Sequence, residues 1–320
     1  MSRLAKIRPW ISVGLALTVI GLGAWYVVRH FEDFAILGRL GTVSLLAILA
    51  TVFVYMLLGG HLLNLFLRRY DVALPWYRWL GLYATMSVGN MVTPVRGGTG
   101  IGAVYLKSVH GLTFSRFAMV LVGTYVGAAI VNAVLGLGGM GISYAATGWF
   151  NPTAVGGAAV VLVGGLATFF IPNLRPSERW GWTYAVRAIN GWHQLVGDRR
   201  LLANVLAVQL AMNLVHVGTY VLIYRGLGLD MPVAAVVTIV SIGTIASMIA
   251  LTPASLGPYD VVLVALPTTF GLTGPEAMAA LLVMRAVHLA GTLALAGIFG
   301  FALRTPAGPP LSPPPPSAGV

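Results

Sequence analysis

Two stretches hold residues whose chemistry is out of place in an otherwise apolar chain. The first, Val92-Thr93-Pro94-Val95-Arg96-Gly97-Gly98-Thr99-Gly100-Ile101-Gly102, sets one arginine beside four glycines. The planar fork of arginine can hold two phosphate oxygens at once, and glycine backbone lets neighbouring N–H groups converge on an anion. The second, Leu251-Thr252-Pro253-Ala254-Ser255-Leu256-Gly257-Pro258-Tyr259-Asp260, repeats the Thr-Pro break and ends in a carboxylate. Farther on, Arg285 and His288 lie three apart and share one face of an apolar helix. Thr93, Arg96, Gly97, Gly98, Thr99, Thr252, Asp260, Arg285 and His288 therefore form the candidate substrate-binding set. The chemistry they fit is anion binding, with two arginines facing one cavity. Asp260 could instead pair with Arg96 or Arg285, an ion pair that fixes the two tips together and that a headgroup could compete for.

The remaining polar groups within apolar runs are His61, Asn64, Asn90, Gln209, Asn213 and His216. They are candidate cavity-lining residues, and hydrogen bonding between helices explains them as well. No catalytic residue is assigned. The chain has no cysteine, and its six histidines and eight acids show no metal-ligand spacing. Gly98-x-Gly100-x-Gly102 follows no strand and does not fit a dinucleotide fingerprint, and no serine-nucleophile motif is present. Neither a metal nor a cofactor is expected, and the chain is not expected to be an enzyme.

The elements that must position these groups are membrane helices. Of 320 residues, 58% are hydrophobic and only 8% charged, against about a quarter charged in soluble domains. The net charge of +11 does not point to nucleic acid, because the basic residues lie in short loops between apolar runs. Full spans are expected at residues 10–28, 43–67, 117–141, 153–171, 201–224 and 277–303. The first follows Arg3, Lys6 and Arg8, and at about 19 residues it is longer than the roughly 7 to 15 of a signal-peptide core, so a retained helix is expected. Four shorter runs, 79–91, 103–110, 233–251 and 261–270, flank the two Pro/Gly breaks and read as two re-entrant hairpins. An uncharged loop is expected over 143–152, and an amphipathic interfacial helix over 180–196 within the cytoplasmic loop 173–200. The Pro-rich tail 304–320 is expected to be disordered.

With the N-terminus inside, fourteen of the nineteen Lys and Arg residues fall on the cytoplasmic side and only Arg29, Arg39 and Arg225 outside. Both termini are therefore expected in the cytoplasm and the two hairpins enter from opposite faces. Aligning Pro94 with Pro253 also aligns Asp71 with Asp230, and Gly111-Leu112-Thr113 with Gly271-Leu272-Thr273 one residue later. The expected fold is thus an all-α polytopic membrane protein. It comprises six full spans and two re-entrant hairpins in an inverted repeat, with halves at about 43–141 and 201–303 of a single membrane domain, 1–303.

Pro94, Arg96 and Gly97 at the first tip, Pro253, Gly257 and Asp260 at the second, the two Gly-Leu-Thr turns and Arg285 together resemble the lysylphosphatidylglycerol synthase transmembrane-domain family. The resemblance covers roughly residues 43 to 303. Against the family pattern, Gly98 stands where a glutamate is usual, and Gly123, Thr124 and Tyr125 occupy the place of a charged pair. The resemblance implies a flippase that moves a phospholipid or lipid-linked intermediate across the inner (plasma) membrane. With no soluble aminoacyl-transferase domain following, no synthase activity is implied. A membrane-embedded lipid-phosphate transferase and a non-catalytic scaffold for envelope lipid synthesis are the alternatives, and self-association into a homo-oligomer stays open.

Overall fold

The structure, a computed structural model, describes residues 31–93, 96–172, 186, 190, 192, 197–249 and 257–303. The expected first span (10–28), most of the interfacial helix (180–196), the second tip with Thr252 and Pro253, and the tail (304–320) lie outside the described residues. Among those described, nine α-helices and two short 3-10 turns make up the chain, with no strand. In order they are α1 (Thr42–Arg68), α2 (Trp76–Val92), α3 (Gly97–His110), α4 (Phe114–Thr147), α5 (Pro152–Ala167), α6 (Arg199–Gly226), α7 (Val233–Ser247), α8 (Pro258–Thr269) and α9 (Gly274–Gly300).

Four of them, α1, α4, α6 and α9, are long and apolar enough to cross a bilayer. Large apolar side chains such as Leu46, Val160, Leu214 and Ile298 point outward, as lipid-facing residues do. The sequence locates α1, α6 and α9 to within three residues, but α4 and α5 differ. α4 runs 34 residues, so Ser143 to Thr147 continue the helix where a loop was expected, until Gly148 ends it in a left-handed conformation at φ 71°. α5 has only 16 residues, because the chain leaves the helix at Thr168. That is just below the roughly 17 to 25 residues of an ordinary crossing.

The same element order occurs twice. A long helix (α1, α6) is followed by two short ones (α2–α3, α7–α8) and a second long helix (α4, α9). The Gly-Leu-Thr turns work alike in both copies. Gly111 (φ 69°) and Gly271 (φ 103°) end the short helix, while the Thr113 and Thr273 hydroxyls accept from the N–H groups of Arg116 and Glu276 to start the long one. Glu276 reaches back to the Thr273 N–H and closes a capping box. Packing between the halves is reciprocal: α1 lies on α6, α2 on α9, and α7 on α4.

Candidate functional site

The glycines of the first tip do not form a loop. Gly97 to Gly102 are the first turns of α3, and the small size of Gly98 and Gly102 lets α3 press against α2. A Cβ on Gly98 would strike the Met86 carbonyl and the Asn90 N–H, and one on Gly102 would strike the Met86 side chain. Gly98 therefore packs α3 against α2. Its place against the α2 backbone leaves no room for any side chain. Asn90 adds a tether: its Oδ1 accepts from the Thr99 N–H at 2.9 Å and from the Thr99 hydroxyl at 3.2 Å. The Thr99 amide expected to meet an anion is thus already bonded, and Asn90 holds the hairpin together. Thr93 ends α2, its hydroxyl donating to the Gly89 carbonyl.

Arg96 occupies the position just before α3 with φ 54° and ψ 47°. Left-handed backbone is costly for a residue with a long side chain, on the order of 1 kcal/mol. Its guanidinium donates to the Tyr125 hydroxyl on α4 and, at 2.7 Å, to the Ser247 carbonyl at the end of α7. The guanidinium also sits 4.8 Å from the centre of the Tyr125 ring. The Ser247 oxygen belongs to the last turn of a helix, where carbonyls lack intrahelical partners and the helix dipole favours a cation. Neither hydrogen-bond partner of Arg96 carries a charge. Tyr55 on α1 and Tyr83 on α2 share its electrostatic neighbourhood.

α3 and α4 touch little, and a cavity of about 690 Å³ opens between them. Arg96, Gly97, Thr99 and Tyr125 stand at its polar end, and Ala103, Phe114, Phe117, Ala118, Leu121 and Met248 line the rest. An apolar groove with one cation at its head is shaped for an amphiphile with an anionic end.

The second half is built differently at the same place. Counting from the helix starts, Asp260 on α8 corresponds to Thr99 on α3, and Arg285 on α9 to Tyr125 on α4. Arg285 Nε donates to Asp260 Oδ1 at 2.8 Å, Nη2 binds the same oxygen, and Asp260 Oδ2 accepts from the Gly257 N–H at 3.0 Å. The carboxylate thus caps α8 and clamps it to α9. Gly257, the counterpart of Arg96, also has a positive φ, 108°. The structure does not gather the candidate set in one cavity. Arg96 lines the groove, whereas Arg285 is paired with Asp260 inside the second half, so the ion pair ties α8 to α9 rather than one tip to the other.

Sequence reasoning missed a cluster of aromatic and imidazole rings in the core. His216 Nε2 lies 3.4 Å from the Tyr259 hydroxyl, which lies 3.3 Å from the Tyr220 hydroxyl. The Tyr55 ring centre is 5.5 Å from that of His216 and 6.2 Å from that of His288. His288 therefore belongs to this cluster and not to the groove. The spacing of aromatic and imidazole residues on four separate helices gives no local signal for such a meeting. Gln209 and Asn213 are interhelical ties: Gln209 donates to the Thr124 carbonyl, and Asn213 to Asn132 at 2.6 Å and Ser241 at 3.2 Å. Asn64 is buried, but His61 is exposed on the outer face of α1 beside Trp79.

No curated protein and no solved structure matches the chain. A family model described as the lysylphosphatidylglycerol synthase TM region does match it, over residues 11–296. The protein therefore belongs to that family and is an integral membrane protein of a lipid-related group.

Proposed function

We propose that the chain is a flippase that moves a phospholipid or lipid-linked intermediate across the inner membrane, with Arg96 holding the headgroup. The observation that carries this is the contrast between the two arginines. Arg285 faces a carboxylate, whereas Arg96 meets only a phenol and a carbonyl at the head of an apolar groove. A phosphate can engage further N–H groups of the guanidinium, while acyl chains lie along Phe114, Phe117 and Leu121.

The asymmetry of the halves supports alternating access. α3 stands apart from α4, and α8 is clamped to α9. In an inverted repeat, exchanging these two arrangements would move the opening from one membrane face to the other. The proposed architecture has six full spans, both termini in the cytoplasm, and the pairs α2–α3 and α7–α8 as re-entrant hairpins entering from opposite sides. The protein acts without a cofactor and without covalent chemistry. The test is reconstitution of the full chain in vesicles containing a fluorescent phospholipid, with surface quenching read over time. Faster loss of inner-leaflet protection than in protein-free vesicles supports the proposal, and identical kinetics overturn it.

A further inference from the structure

The charges around the groove specify which headgroup it accepts. Among the described residues that line the groove there is no acid. Asp198 accepts from the Leu201 N–H, Glu276 from Thr273, and Asp260 from Arg285 and Gly257. Asp71 and Asp230 are exposed in turns. The undescribed residues closest in sequence to the two tips, 94–95 and 250–256, contain no acid. On the face of α3 that meets α2, Gly98 has no space for a side chain.

We infer that the groove selects lipids with an anionic phosphodiester headgroup lacking an amine, and discriminates against aminoacylated and other amine-bearing headgroups. This rests on the reading of Arg96 as the headgroup ligand. An ammonium brought beside Arg96 meets a like charge in a low-dielectric groove whose described lining residues include no carboxylate to offset it. A glycerol or sugar hydroxyl meets no such penalty.

The experiment compares two probes that differ only in the amine, phosphatidylglycerol and its lysyl ester. Each is titrated against the detergent-solubilised full chain by thermal shift, and each is followed as a fluorescent analogue in reconstituted vesicles. Affinity for phosphatidylglycerol is expected to exceed that for the lysyl ester by on the order of tenfold. The variant Ala118→Glu, which puts a carboxylate in the groove, is expected to narrow or reverse that preference. Selective binding without transport supports this inference while overturning the flippase reading. Equal affinities, tighter binding of the lysyl ester, or no binding of either probe overturns the inference.

Discussion

The guanidinium of Arg96 donates to the Ser247 carbonyl, 151 residues away, at 2.7 Å. The cation of the first tip thereby caps the first short helix of the second half. A residue held in left-handed backbone, bonded across the two halves and exposed to an apolar groove couples their positions. Any ligand that draws the guanidinium away from Ser247 also releases that link.

The close approach of α3 to α2 depends on Gly98. Gly98→Val is expected to separate the hairpin helices and to lower stability by about 1 to 3 kcal/mol, the usual range for overpacking. Gly100, whose Cβ would point into open space, is the control. Gly100→Ala should be neutral or stabilising by up to about 1 kcal/mol, since alanine favours helix. Thermal unfolding of the purified variants in detergent reads both.

Asp260 serves as cap and counter-ion together, and its side chain is only 16% exposed. Asp260→Asn should lower stability by about 2 kcal/mol, because it weakens the cap and leaves Arg285 without its carboxylate. Arg285→Met should also lower the melting temperature. A variant pair that melts like the native chain would show that the clamp contributes nothing.

Thr99 and Tyr125 occupy the places that Asp260 and Arg285 hold in the second half. The double variant Thr99→Asp, Tyr125→Arg is expected to draw α3 onto α4 and to slow lipid movement at least about tenfold, an ion pair being worth more than 1.4 kcal/mol in this setting. Disulfide formation between cysteines placed at Ala103 and Ala118 should rise in that background.

The absence of native cysteine makes topology directly measurable. Ser108→Cys at the base of the first hairpin should react with an impermeant maleimide only from the cytoplasm. Ala146→Cys and Thr268→Cys should react from outside. Labelling of Ser108 and Thr268 from the same face would contradict entry of the hairpins from opposite sides.

Most of the helices were legible in the sequence, because apolar run length, Thr caps and Gly stops are local signals. The extension of α4 through Ser143–Thr147 was not, since small neutral residues suit helix and loop alike. At the site, charge alone left Asp260 two partners, Arg96 or Arg285, and the structure pairs it with Arg285. The role of Gly98 and Gly102 could not be read from the sequence. The same glycines serve an anion-binding loop or a close helix contact, and only the position of Met86 and Asn90 decides between them. His61 and Asn64 share a helical stripe, but whether that stripe faces core or lipid depends on neighbours that are remote in sequence.

The measurement closest to the central claim is lipid movement by Arg96 variants in reconstituted vesicles. Arg96→Ala is expected to reduce the rate by at least about 100-fold, corresponding to loss of a charge-assisted contact worth about 3 kcal/mol. Arg96→Lys should retain part of the activity, because it keeps the charge but loses the fork. Both variants should melt within a few degrees of the native chain, since each keeps a Cβ and hence the same backbone strain at φ 54°, and only the side-chain contacts change. Native rates in a well-folded Arg96→Ala protein would contradict the account.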